Sequence, residues 1–155
     1  MSYKVLDICC YVIDYSNQKD YGISNLKLQK ILYFIQAYFL ISNPSRCCFE
    51  DRIEAWDFGP VVPIAYIKYK HFGSSDIPDA VSDNNVIVDD DKELIKSVID
   101  KFADYTATDL VSLTHSQAPW IDAYIPRMNR EITPDAIREY FNGWYNWKTT
   151  KKRRW

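Results

Sequence analysis

Ile53-Glu54-Ala55-Trp56-Asp57-Phe58-Gly59-Pro60-Val61-Val62-Pro63 is the stretch on which the reading of the fold turns. Ile53, Ala55 and Trp56 form a run too short and too broken for a helix. Gly59-Pro60 changes the direction of the chain, because glycine tolerates positive φ and proline holds φ near −65°. Beyond it, Val62, Tyr66, Tyr69 and Phe72 recur at steps of three or four, and Gly73 stands where a helix would end. The sequence therefore predicts a short strand turned sharply into a helix over about 60–72, with Trp56 and Phe58 on the rim of the corner. Such a corner either locks a core or builds a binding surface.

Upstream, Val5, Ile8, Cys9, Val12 and Ile13 keep helical spacing over residues 3–16. Ser24 is a fair N-cap for a helix over about 25–41. Leu26, Leu28, Ile31, Leu32, Phe34, Ile35, Tyr38 and Phe39 cover most of that helix's circumference, which places it at the centre of the core. Asn43-Pro44 ends it, since a residue before proline avoids the α region. Downstream, Val86-Ile87-Val88 is a short β-branched run expected to pair residues 85–88 with 53–57 as a two-stranded ribbon. Helical patterns resume from Asp91 to Phe102, from Thr108 to Leu113 and from Pro119 to Tyr124. Thr133-Pro134-Asp135 is a strong start signal, a cap followed by Pro at N1 and an acid in the first turn. The expectation is a mainly α fold: a bundle of about six to seven helices with a small two-stranded ribbon, one domain over 1–147, and a tail over 148–155.

Composition narrows the function classes. The 155 residues suffice for one core without metal or disulfide support. Aromatics make up 15%, and Tyr and Trp suit contact surfaces as well as cores. No apolar run reaches the ~20 residues of a bilayer span, and the N-terminal residues lack the apolar stretch of a signal peptide, so no membrane association and a cytoplasmic location are expected. The four cysteines fall in two adjacent pairs, Cys9-Cys10 and Cys47-Cys48. Zinc-ligand spacing is absent, so they read as reduced, small apolar residues with no metal. Residues 148–155 hold five of the 19 basic residues and none of the 21 acidic ones. The remaining 147 residues thus carry 14 basic against 21 acidic groups, a net charge of −7. A polarised molecule of this kind points to partners rather than to fold.

Four blocks together resemble a known family, the Panacea domain, also described as the SocA-like or GepA-like antitoxin domain. They are Ser24-Asn25-Leu26-Lys27-Leu28-Gln29-Lys30-Ile31-Leu32-Tyr33-Phe34, the corner at 53–63, Leu113-Thr114-His115 with Pro119-Trp120, and Ile132-Thr133-Pro134. The resemblance covers about residues 3–143. The resemblance implies a non-enzymatic antitoxin of bacterial or phage origin, encoded beside a toxin protein that it neutralises by direct binding. The toxins of such domains include toxic small alarmone synthetases and other translation- or membrane-targeting poisons. A related member acts as an adaptor handing its toxin to a protease. Asn25, Leu28, Lys30, Tyr33, Gly59, Val62 and Pro119 are then scaffold positions of the family motif.

The candidate partner-binding residues are Trp56, Asp57, Phe58 and Pro60 at the corner, His115 and Trp120 beside it in the motif, and Arg153, Arg154 and Trp155 in the tail. Trp56 also fits a plain core role, with Gly59-Pro60 merely shaping the turn. His115 has only His71 for company, and no phosphate loop, His-Glu-x-x-His run or nucleophile elbow is present, so no catalytic residue and no cofactor are expected. His115 reads best as a hydrogen-bonded joint between two short helices. Lys27 and Lys30 read as surface lysines lying along apolar neighbours, or as ion-pair partners of Glu54 or Asp57. The tail is solvated charge, a toxin contact through guanidinium groups, or a nucleic-acid contact. Alternative functions are a nucleic-acid-binding regulator, which the acidic body opposes, and a protease adaptor. A homo-oligomer is compatible with everything above.

Overall fold

The computed structural model describes residues 2–80 and 86–142. Its centre is α2 (Asn25–Ser42), capped by the Ser24 hydroxyl, which accepts from the Lys27 amide at 3.3 Å. Thirteen of its 18 residues are buried, so the other described elements are wrapped around it. Each fully buried Leu, Ile or Phe side chain contributes about 1.5–3 kcal/mol, and Leu28, Ile31, Leu32, Phe34, Ile35 and Leu40 all sit in this one helix. α1 (Val5–Gln18) packs through Val5, Ile8, Cys9, Val12 and Ile13, the stripe visible in its sequence. α4 (Asp89–Lys101) packs against both through Ile95, Val98 and Ile99. Phe34 of α2 stacks on Phe102 at 4.4 Å just beyond the end of α4.

The bundle is mainly helical, as expected, but its β part is a three-stranded antiparallel sheet in the order β2-β1-β3. β1 is Ile53–Trp56, β2 is Gly59–Val61 and β3 is Glu131–Ile132. Ala55 pairs with Pro60 and Trp56 with Gly59, so Asp57-Phe58 form the tip of a tight hairpin. On the other side Ile53 pairs with Ile132 and Glu54 with Glu131. Two corrections follow. The neighbour of β1 is β3, whereas Val86–Val88 lead into α4, where the Val88 amide donates to the Tyr3 hydroxyl at 3.2 Å. Residue 85 lies outside the described residues. The helix after the corner, α3 (Pro63–Tyr69), also starts three residues later than expected, with Pro63 rather than Pro60 in its first turn. Pro60 fits an edge strand, where no ladder donor is required of it.

A 3-10 turn at Lys70–Phe72 extends α3 to Gly73. α5 (Ala107–His115) begins at a Thr106–Asp109 capping box, two residues before the expected Thr108. α6 (Ala118–Ala123) has Pro119 in its first turn. After β3, the Thr133 hydroxyl accepts from the Ala136 amide at 3.1 Å and opens helical residues 134–142, which bury Ile137 and Phe141.

Polar clasps fix the loops to this frame. Gln36 of α2 is buried; its Nε2 donates to the Phe49 carbonyl at 2.8 Å and its Oε1 accepts from the Cys48 amide at 2.8 Å. Arg46 grips Asp91 with two parallel hydrogen bonds of 3.0 and 2.6 Å, and the Tyr3 hydroxyl donates to the same carboxylate. Burial opposes ionisation of Asp91, but the hydrogen bonds from Arg46 and Tyr3 outweigh it and hold the carboxyl below its usual range. All four cysteines are free thiols, Cys9 and Cys48 buried, and burial pushes both up in pKa. No helix among the described residues is long and apolar enough to cross a membrane.

Candidate functional site

The hairpin tip at Asp57-Phe58 is held from two sides by different chemistry. On the inner side, α2 supplies the hydrogen-bond partners that the outer edge of β2 lacks. Lys30 is fully buried and its Nζ donates to the Pro60 carbonyl at 3.0 Å. Gln29, also fully buried, accepts from the Val62 amide at 2.9 Å through Oε1 and donates to Asn25 Oδ1 at 2.9 Å through Nε2. Asn25 passes the chain on to the Tyr66 carbonyl of α3 at 3.2 Å. Burial lowers the pKa of Lys30 to about 7, because the ammonium form loses its hydration there. Neither expectation for Lys30 holds: it is no surface lysine, and its amine bonds a backbone carbonyl rather than Glu54 or Asp57.

Gly59 makes this arrangement possible. Its φ is +104°, and a Cβ there would lie 2.8 Å from both Lys30 Cε and Thr114 Oγ1. Glycine is therefore required twice over, by backbone conformation and by the close approach of two side chains. Thr114 spends its hydroxyl on the Leu110 carbonyl at 3.0 Å. Tyr33 crosses from α2 to donate to Gln117 Oε1 at 2.8 Å, which fixes the start of α6.

On the outer side, three rings from α5, α6 and the residue after α6 form a ladder. His115 stacks on Trp120 at 4.0 Å, and Trp120 on Tyr124 at 4.4 Å. The polar end of every ring meets the hairpin. Trp120 Nε1 donates to the Trp56 carbonyl at 2.8 Å, His115 Nε2 lies 2.9 Å from the Asp57 carbonyl, and the Tyr124 hydroxyl donates to Asp57 Oδ1. The carbonyl can only accept, so His115 carries its proton on Nε2 in this contact. His115 is thus a joint, as its sequence context suggested, and it joins α5 to the hairpin as well as to α6. Trp56 is half-buried, donates to Glu54 Oε1 at 2.9 Å and meets Tyr66 edge-on at 4.9 Å.

A groove of about 230 Å³ opens beside the tip, with Leu26, Trp56, Phe58 and Tyr66 among its apolar walls and Arg127 and Asn129 on the facing loop. Phe58 is 66% exposed at its mouth. Ten large apolar side chains are exposed among the described residues. Six of them (Phe58, Ile64, Ile67, Ile121, Ile125 and Met128) belong to the tip, to α3 and to residues 121–128. Of these, Phe58 itself lines the groove, and the others lie on segments next to its wall residues Tyr66, Arg127 and Asn129 in sequence.

Of the residues named from sequence, the fold gathers Trp56, Asp57, Phe58, His115 and Trp120 around one hairpin. Pro60 is buried in β2 and shares in the corner only by shaping it. Arg153, Arg154 and Trp155 lie outside the described residues. Sequence reasoning missed Gln29, Tyr66, Tyr124, Arg127 and Asn129. Arg127 and Asn129 have φ of 68° and 47°, a conformation that L-residues seldom adopt. The turn-forming composition of Pro126-Arg127-Met128-Asn129 was the only available hint.

Comparison with known proteins agrees with the motif blocks. The SocA-like antitoxin, Panacea domain family matches residues 28–121, which include the Lys30 helix, the hairpin and the ring ladder up to Trp120. Antitoxin SocA of Caulobacter vibrioides (strain NA1000 / CB15N) is 34% identical over 121 residues, covering 70% of this chain and 64% of that protein. The aligned part of this chain thus spans just under two thirds of the relative's length. No solved structure matches the chain. On the family match, which covers more than half of its residues, the chain belongs to the SocA-like antitoxin family defined by the Panacea domain.

Proposed function

We infer that this protein is the antitoxin of a toxin–antitoxin pair and acts by stoichiometric binding of a neighbour-encoded toxin protein. The observation that carries the reading is the exposed aromatic tip beside a groove, built on the motif residues of an antitoxin family. Aromatic side chains presented from a rigid frame lose little entropy on binding and dominate interface energies at ~2 kcal/mol or more each. The ring ladder and the α2 side chains supply such a frame, since they hold the carbonyls of Trp56, Asp57 and Pro60, the Asp57 carboxylate and the Val62 amide. His115 is engaged with a backbone carbonyl and an indole face, an arrangement suited to positioning and not to proton transfer. Binding without chemistry is the activity that these features favour.

The test is co-expression with the product of the adjacent gene. Expected results are growth arrest by the neighbour alone, rescue by this chain, and co-purification of the two in a fixed ratio. A harmless neighbour, or two proteins that never associate, would sink the reading.

A further inference from the structure

Another cavity, of about 140 Å³, lies between β1, β3 and the start of helical residues 134–142, and shares no lining residue with the hairpin groove. Its floor is apolar, from the buried Phe49, Ile53, Ile132 and Ile137. The charged groups of its lining are three carboxylates, Glu50, Asp51 and Glu131, with no cation among them. Among the described residues Glu50 and Asp51 make no ion pair. Glu131 meets only Arg52, whose Nη1 stands 3.9 Å away while its Nε lies 2.9 Å from Glu54. The flanking charges do not cancel this rim. Lys4 borders Glu50 and Asp51 in a neighbouring dent without pairing with them, and Arg138 is engaged by the Pro44 carbonyl and Asp135. With the flanks included, Glu50, Asp51, Glu54, Glu131 and Asp135 stand against Lys4, Arg52 and Arg138, a net charge of −2.

The chain carries its own match for this rim. Residues 148–155, outside the described residues, hold five cations and no acid. They follow the helix whose start walls the cavity. Ile137 precedes Asn142 by five residues, about 7–8 Å along a helix axis. Lys151 follows Asn142 by nine residues, a reach of up to about 30 Å. The segment can therefore return to the cavity with chain to spare. Lysine and arginine have the shape required, an aliphatic stem for the apolar floor and a charged head for the rim. A single exposed ion pair is weak, but a short tether presents the segment at an effective concentration of order millimolar, which populates weak contacts. We propose that the cavity is the intramolecular seat of the basic segment 148–154, with one long cationic side chain entering it, and that the docked segment is withheld from polyanions. The seat needs neither the hairpin groove nor a toxin.

The experiment is zero-length carbodiimide cross-linking of the full-length chain with peptide mass mapping, beside titration with heparin as the polyanion. Cross-links from Lys148, Lys151 or Lys152 to Glu50, Asp51 or Glu131 are expected at about 0.1 M salt. They should fall by about fivefold or more near 1 M, as the screening length shrinks from about 10 to 3 Å. Combining Glu50→Gln, Asp51→Asn and Glu131→Gln should tighten heparin binding by about threefold, the factor for a tail that is about two-thirds docked. A control with Asp20→Asn, Asp90→Asn and Asp122→Asn removes the same charge from exposed sites elsewhere and should tighten it far less. Adding Lys151→Gln, Lys152→Gln, Arg153→Gln and Arg154→Gln should erase the difference between the two. Cross-links spread evenly over the exposed carboxylates, or equal heparin binding by the two triple variants, would overturn the proposal. Cross-links found only between two copies would do the same, since the seat would then take another chain's tail. Should the triple variant lose its circular dichroism signal, the cross-link map of the unsubstituted chain and its salt dependence decide alone.

Discussion

The two sides of the Asp57-Phe58 hairpin are built from the same few residues of chain and do opposite things. The inner side buries Lys30 and Gln29, and spends their polar atoms on the backbone of residues 60–62. The outer side stacks three rings against the turn and leaves Phe58 in water. Inside, a lost hydrogen bond strands a buried group and costs stability. Outside, the exposed Phe58 ring buries little surface, so its loss is expected to cost the fold little. Conservation of a motif over such a hairpin would not distinguish the two sides, whereas their energetics do.

Gly59→Ala should have the largest effect on stability. It forces a positive φ on a residue with a Cβ and drives that atom against Lys30 and Thr114. The expected loss is about 3 kcal/mol, read from urea unfolding, with partner binding lost alongside it. A loss below about 1 kcal/mol would show that the inner side can yield. Gln29→Leu comes next: it leaves the Val62 amide buried without an acceptor, at about 2 kcal/mol.

Lys30 gives the inner side a pH signature. In the unfolded chain its amine keeps the proton up to its ordinary pKa of 10.5, whereas in the fold burial lowers the pKa to about 7. Above pH 7 the unfolded state therefore binds more protons, and stability rises with pH, by about 1 kcal/mol per pH unit. The window in which Lys30 dominates is about pH 7 to 7.5, because closer to the ordinary thiol pKa of about 8.5 the unfolded chain sheds thiol protons that the buried Cys9 and Cys48 keep, which pulls stability the other way. Lys30→Met should flatten that rise in urea midpoints measured across the window; an unchanged slope would mean that another group supplies it.

Trp120→Phe keeps the ring stack but removes the bond to the Trp56 carbonyl, at about 1 kcal/mol. Phe58→Ser should change stability by no more than about 0.5 kcal/mol, since the ring is mostly in water. On the proposed function, however, it should weaken a pull-down with the product of the adjacent gene by about tenfold or more. If Phe58→Ser unfolds the protein, the distinction between the two sides fails.

Much of the frame was legible in the sequence because its signals are local. Helix periodicity, the Ser24 and Thr133 caps and the breakers at Pro44 and Gly73 act within a few residues of where they appear. The sheet was not legible in the same way. β1 meets β3 across more than seventy residues, and the two-residue β3 has no periodicity of its own. The β-branched Val86–Val88 was the more conspicuous run, and it is no strand. Lys30 was misplaced for a related reason: a lysine among apolar residues reads as a surface residue unless the carbonyl awaiting it is known. The groove needed a loop, 124–130, whose shape depends on two residues at positive φ. The motif blocks pointed to the hairpin without showing which of its faces is open.

The hydrogen bonds from Lys30 and Gln29 have one more consequence, for the protein before any partner reaches it. A strand at the border of a sheet offers unpaired amides and carbonyls, and in a crowded cell these template pairing with another chain. Here the Pro60 carbonyl and the Val62 amide are both occupied by side chains of the central helix, and Pro60 has no amide to offer. The rim of the sheet nearest the sticky aromatic tip is closed to strand exchange. The chain can therefore expose Phe58 without exposing a seed for aggregation beside it.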